Sequence, residues 1–284
     1  MIPDPVILAT DFSPASSSAL WVAGRFARIF HARALLVHVF QYAPNQPHQI
    51  PVGWMIDCIL KDDERRMNEV QKLLSDNGIE AETRLMEYGL PSAEILNLLP
   101  TFQNPLLVVG THAKGGMDRF LIGSTAEEIL RQASCPVVTV GPHVCCTGGM
   151  NSGFDNLLFA TDFSASSLAA LPSIEILRNR QHSSVRVLHV STDPDLRDSS
   201  YDESFDAVRK VLDGSPKAAV CDTEYVTLHG NNVSQAITNE AERYPADLLV
   251  LGVRRASAYA ARLTPKITFQ VIAAAPCPVL TVSS

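Results

Sequence analysis

The sequence of 284 residues contains no apolar run approaching the roughly 20 residues that span a bilayer. Its first residues, MIPDPVILATDFS, lack the basic segment and apolar core of a secretory leader, so none is expected. The six cysteines, at 58, 135, 145, 146, 221 and 277, match neither a disulfide framework nor the ligand spacing of a zinc ribbon. Reduced thiols in the cytoplasm are the expectation. Basic residues are few. Lys and Arg number 23 against 30 Asp and Glu, a formal net charge of −7, which argues against nucleic acid and anionic membranes as partners. The phosphate-binding signatures GxGxxG and GxxxxGK[ST] are both absent. What is present suits packed cores: 46% of the residues are hydrophobic and only 19% charged.

The chain is written twice. ATDFS occurs at 9–13 and again at 160–164, an offset of 151. LVHV at 36–39 matches VLHV at 187–190 at the same offset. LLVVG at 106–110 matches LLVLG at 248–252, and SCPVVTV at 134–140 matches PCPVLTV at 276–282, both at offset 142. Four segments that keep their order are a repeat. The halves are read as 1–142 and 154–284, joined by a linker at 143–153 in which Pro, Gly and polar residues interrupt the pattern.

Within the first half, short β-rich runs fall at Val6–Thr10, Ala34–Phe40, about Ala81–Met86, Leu106–Gly110 and Pro136–Val140. LLVV and VVTV are nearly continuous apolar runs, the pattern of strands covered on both faces. Helical stripes lie between the runs. One is Ala19, Leu20, Ala23, Phe26, Ala27 and Phe30; a second runs from Ile56 to Leu74; a third from Ile122 to Ala133. Ser13-Pro14 reads as a helix cap followed by proline in the first turn. The pattern predicts an α/β fold made of two parallel sheets, each with helices on both faces.

In such a sheet a ligand sits beyond the carboxyl ends of the strands, where strand order reverses. If the first strand neighbours the fourth, Thr10-Asp11-Phe12-Ser13 meets the loop Gly110 to Gly116 there. The helix opening near Gly123 aims free N–H groups at the same crevice. Ser124 and Thr125 add hydroxyls, Lys114 and Arg119 charge, and His112 lies in the loop. Asp11 suits a ribose hydroxyl or an adenine amino group. A competing reading exists: Ser124-Thr125-Ala126-Glu127 fits a capping box that satisfies the helix by itself. His38 and His189, at matching places in apolar strands, read as buried hydrogen-bonded residues and not as metal ligands. Cys135 and Cys277 read as packing residues, as do Trp21 and Trp54, and the Cys145-Cys146 pair has no assigned role.

A strand ending at Asp11, an LVHV strand, Gly-Leu-Pro-Ser-Ala-Glu-Ile-Leu at 89–96, and LLVVGTH…LIGST followed by SCPVVTV together resemble the universal stress protein family. The resemblance covers both repeats. It implies two tandem Rossmann-like domains, of the adenine nucleotide alpha hydrolase-like kind, each with a five-stranded sheet in the order 3-2-1-4-5. ATP-binding members of the family carry glycine, two residues, glycine, nine residues, then glycine and Ser or Thr. Gly110 matches the first position and Gly123-Ser124 the last pair, while Ala113 stands in place of the second glycine. The resemblance implies that Asp11 and the backbone at Val39 lie near an adenosine, and Gly110, Gly123 and Ser124 near ribose and phosphates. The expected site is Thr10, Asp11, Val39, Gly110, His112, Ala113, Lys114, Gly123, Ser124 and Thr125, holding ATP, ADP or AMP, with Mg²⁺ as a companion ion.

The second half departs from that pattern. Gly252 remains, but Arg255, Pro265 and Lys266 replace the second glycine and the Gly-Ser pair, so this half is not expected to bind ATP in the family's manner. Phosphoryl transfer needs metal-held phosphates and a positioned nucleophile. No Walker-type lysine or general base is evident, and at most weak ATP hydrolysis is expected. The sequence is read as a stress-response regulatory module with an unidentified protein partner; a nucleotide-free scaffold is the alternative. The runs Pro136–Val140 and Pro278–Val282 can pair within the chain as a pseudo-dimer, and the family resemblance allows a further homodimer.

Overall fold

A computed structural model of the protein describes residues 2–40, 53–87, 89–111, 122–144, 149–193, 201–214, 222–254 and 266–284. The first half runs β1 (Val6–Ala9), α1 (Pro14–Phe30), β2 (Ala34–Val39), α2 (Gly53–Asp76), β3 (Ala81–Met86), α3 (Pro91–Leu98), β4 (Leu106–Gly110), α4 (Ser124–Gln132) and β5 (Val137–Val140). The second runs β6 (Asn156–Ala160), α5 (Ala165–Leu168), α6 (Leu171–Gln181), β7 (Ser184–Ser191), α7 (Asp202–Leu212), β8 (Thr223–His229), α8 (Val233–Arg243), β9 (Leu248–Val253), α9 (Lys266–Ala274) and β10 (Val279–Ser283).

The five strands of each half are parallel, and the halves share one ten-stranded sheet in the order β3-β2-β1-β4-β5-β10-β9-β6-β7-β8. Read outward from the junction, each half repeats the same order. Strand order reverses beside β1 and again beside β6, which places a crevice at the carboxyl end of each.

Alternation along the strands builds layers on both faces. Val6 and Leu8 of β1 face one core and Ile7 the other. Helices α1, α2, α6 and α7 cover the first face, where one apolar cluster runs through both halves. On the opposite face α3 and α4 cover the first half and α8 and α9 the second, and Ile122 and Leu130 touch both clusters. Phe26 and Phe154 pack at a tilt, with ring centroids 4.7 Å apart, and are 1% and 0% exposed. Each such fully buried side chain contributes about 1.5–3 kcal/mol.

At the junction β5 and β10 pair antiparallel, with Val138 opposite Leu280, its own counterpart in the repeat. Thr139 Oγ1 donates to the Val279 carbonyl at 3.2 Å and Thr281 Oγ1 to the Val137 carbonyl at 3.1 Å. These two bonds are one interaction seen from either side of a local dyad. Across the helical face, Arg180 Nη1 donates to the Ile29 carbonyl at 2.9 Å.

Candidate functional site

Strand β1 ends where ATDFS turns the chain. Thr10 N–H donates to the Val37 carbonyl at 2.9 Å, still in the sheet. Phe12 N–H then donates back to Thr10 Oγ1 at 3.0 Å, and Phe12 takes a left-handed φ of 57°. Asp11 Oδ1 accepts from Ser13 N–H at 2.9 Å and from Ser16 Oγ at 3.0 Å. Ser13 caps α1 by accepting from Ser16 N–H, with Pro14 in the first turn. The corner is built by its own short polar side chains. It leaves Asp11 Oδ2 without a partner among the described residues.

The second wall comes from β4 and α4. Gly123 N–H donates to the Thr111 carbonyl at 2.6 Å, which draws the start of α4 against the end of β4. Gly123 is the N-cap, and no side chain caps the helix. This corrects the capping-box reading of Ser124 and Glu127. Ser124 is already inside the helix, and Glu127 instead pairs with Arg131 at 2.6 Å, one turn on. Glu128 is engaged in the same way by Gln132. The N–H groups of Ser124, Thr125 and Ala126 therefore meet no acceptor among the described residues. They present the positive end of the helix dipole to the crevice.

Thr10, Asp11, Val39, Gly110, Gly123, Ser124 and Thr125 all line one cleft of about 360 Å³. Thr111, Ser16, Phe40, Pro91, Ile95 and Ile129 line it too, and the sequence reading did not single them out. Pro91 and Ile95 belong to the segment at 89–96, whose spacing was the available signal. His112, Ala113 and Lys114, like Arg119, lie outside the described residues. The cleft lining combines apolar side chains, the Asp11 carboxylate as an acceptor and the N-terminal donors of α4, within the size range of small-molecule sites.

The second half holds a cleft of about 420 Å³ at the equivalent place, lined by Thr161, Asp162, Val190, Gly252, Arg254 and Thr268 among others. Ser164 N–H donates to Asp162 Oδ1 at 3.0 Å, and Phe163 repeats the left-handed turn with φ 61°. Arg255 and Pro265 lie outside the described residues, and α9 begins at Lys266. His38 is buried and His189 partly so; each is hydrogen-bonded at Nδ1. Among the described residues there is no group of three or more His, Cys, Asp or Glu that could hold a metal ion. Trp21 is partly buried against the shared core, whereas Trp54 is 64% exposed and is not the packing residue expected. Cys145 and Cys146 lie outside the described residues.

The model of the universal stress protein family matches this chain twice, over residues 3–141 and 153–283. The chain belongs to the universal stress protein family. It is a tandem of two such domains. A universal stress protein of Methanocaldococcus jannaschii is 30% identical over 137 residues, covering 48% of this chain and 80% of its own length. A universal stress protein from Archaeoglobus fulgidus has a crystal structure that aligns over 98% of both chains, with a TM-score of 0.77 at 21% identity. A protein of unknown function from Pseudomonas aeruginosa aligns over 99% of this chain and 92% of its own, with a TM-score of 0.62 at 13% identity. Among the described residues no helix is long and apolar enough to cross a membrane.

Proposed function

We propose that the cleft of the first half binds ATP or a related adenine nucleotide. The protein then acts as a stress-response regulatory module whose second half is its structural pseudo-dimer partner. One observation carries the reading. The uncapped N-terminus of α4 and Asp11 line a single cleft, so one ligand can bring phosphates to the first and hydroxyl or amino groups to the second. The ion pair of Glu127 with Arg131 lessens the negative charge beside a bound phosphate. Asp11 belongs to the nucleoside end and is not placed as a general base, so binding rather than turnover is the activity.

The test is to purify the protein without added nucleotide, denature it, and quantify released nucleotides by chromatography and mass. The melting temperature with and without millimolar ATP and Mg²⁺ is measured alongside, since a ligand that binds only the native state raises it. About one adenine nucleotide per chain, or a shift abolished by Asp11→Ala, supports the reading. Two per chain overturns the structural role of the second half. Neither nucleotide nor shift leaves a scaffold that works through protein contacts alone.

A further inference from the structure

The shared sheet ends at β3 on one flank and at β8 on the other, and neither strand has an outer neighbour among the described residues. A terminal strand presents a row of backbone N–H and C=O groups to any strand that can pair with it. The two ends differ in how far that row is closed. In β3, Ala34 N–H donates to the Glu80 carbonyl and Phe40 N–H to the Met86 carbonyl, both at 2.8 Å, so Ala81, Thr83 and Leu85 turn their backbone groups outward. There Gln71 Nε2 takes the Ala81 carbonyl at 2.6 Å, and Glu80, Glu82, Arg84 and Glu87 stand exposed along the strand. Charged residues on an edge oppose pairing, because a second strand would desolvate them.

Strand β8, TEYVTLH, has no such guard. Val185 N–H of β7 donates to the Asp222 carbonyl at 2.9 Å, and Gly230 N–H donates to the Ser191 carbonyl of β7 at 3.0 Å. With the parallel register of β7 on β8, the even-numbered residues of β8 therefore spend their backbone groups on β7. Thr223, Tyr225, Thr227 and His229 turn theirs outward. The backbone groups of the first three meet no partner among the described residues. The acid of this strand, Glu224, is held by Arg186 Nε at 2.8 Å. Tyr225, Val226, Thr227 and Leu228 carry no charge, and each is half-buried at the margin of the sheet.

We infer that β8 is an association edge for a second copy of this chain, paired antiparallel about a two-fold axis at Val226. A contact of that symmetry must be complementary to itself. Reversed about Val226, the strand sets Tyr225 opposite Thr227 and Thr223 opposite His229. These are the outward-facing residues, so every one of them meets another, and each such pair can exchange two hydrogen bonds. An axis at Tyr225 would leave His229 outside the pairing, and an axis between two residues would oppose outward groups to inward ones. On the other face of the sheet Val226 meets its own counterpart and Glu224 meets Leu228, so no like charges are opposed. Tyr225 with Thr227 makes an aromatic and β-branched pair, a favourable cross-strand combination. The arrangement puts the two second halves at the centre and leaves both first-half clefts on the outer flanks. It gives the second half work of its own and does not rest on nucleotide binding.

The experiment is sedimentation velocity of the full chain from low to high micromolar concentration. The expected result is a reversible monomer–dimer equilibrium. Thr227→Pro deletes an outward N–H that β7 does not use, a place where an edge strand tolerates proline. That variant is expected to keep its circular dichroism and to stay monomeric at every concentration. Val226→Cys tests the axis. Opposed residues that are not hydrogen-bonded to each other lie within disulfide reach. Diamide should therefore link two copies of Val226→Cys, whereas Glu224→Cys, two places from the axis, should stay unlinked like the wild type treated alongside. A wild-type chain that is monomeric at the highest concentration overturns the proposal. So does a dimer that survives Thr227→Pro, or one that links no better through Val226→Cys than through Glu224→Cys. If the proline variant does not fold, the crosslinking pair decides.

Discussion

The first helix of each half leaves the same corner, ATDFS, and the two diverge within two turns. Helix α1 continues for 17 residues, whereas α5 stops after Leu168 and α6 resumes at Leu171. At the repeat offset of 151, Trp21 of α1 corresponds to Pro172, which has no N–H for the helix ladder and disfavours helical backbone before it. The broken helix settles onto the sheet. A methyl group added at Gly252 would lie 2.2 Å from the Ser167 carbonyl oxygen and 2.4 Å from that of Ser166. Ser16 donates to Asp11, while its counterpart Ser167 donates to Thr161 at 2.7 Å. The lesson concerns motif residues. Gly252 matches Gly110, yet its presence follows from a helix backbone pressed against it and needs no phosphate to explain it.

Four experiments sharpen or break that contrast. The largest effect is expected from Gly252→Ala, where the new methyl meets backbone that cannot swing aside. A loss of about 3 kcal/mol in urea unfolding is expected, and a loss below 1 kcal/mol would show that α5 is free to retreat. Next comes Gly123→Pro, which installs in the first half the residue that Pro265 supplies in the second. The φ of −59° already suits proline, so the change removes little beyond the 2.6 Å bond to Thr111. Stability should fall by about 1 kcal/mol and ATP affinity at least about tenfold; unchanged affinity in calorimetry would remove the α4 end from the site.

Thr139→Val and Thr281→Val test where the halves still agree. Each deletes one of the paired hydroxyl bonds and should cost about 1 kcal/mol, with the two values equal within error. The smallest effect is chemical. Cys58 is exposed, while Cys135 and Cys277 occupy matching buried places. Burial pushes the Cys277 thiol up to about 12. At pH 8 a maleimide should modify Cys58 promptly, and Cys135 and Cys277 only in denaturant. Because the folded thiol stays protonated where the unfolded one ionises, stability falls as pH rises past the ordinary thiol range.

The parts of this structure carried by local pattern were legible. The strands of the first half lie where the β-rich runs place them, most clearly β4 and β5, whose covered faces leave no solvent side to blur the signal. The edge strand β3, AETRLM, is partly exposed along its length and carries the weakest pattern. The alternation of strands and helices requires a helix between β3 and β4, but the eight residues of α3 show no stripe of their own, since two turns are too few. The capping box at Ser124 failed for a tertiary reason: the bond from Gly123 to Thr111 fixes the helix start one residue early. Trp54 fits a packing residue in composition, but nothing in its own segment reports whether another element covers it. The cleft residues from strand ends and helix starts were readable because topology brings those ends together. The contact of Asp63 with His38 joins residues 25 apart and leaves no periodic trace.

The pairing of β5 with β10 fixes how this molecule responds to dilution. Two separate chains joined along such strands would part as concentration fell, since their association is bimolecular. Here the partners share one backbone, and the local concentration of one edge near the other is set by the linker between the halves and by the folded second half that carries β10. The junction should therefore persist at any dilution, and the melting temperature attributable to it should not depend on protein concentration. A permanent partner also relaxes the demand that both halves do the same work. One half can lose its helix continuity and its Gly-Ser pair while still completing the sheet on which the other depends.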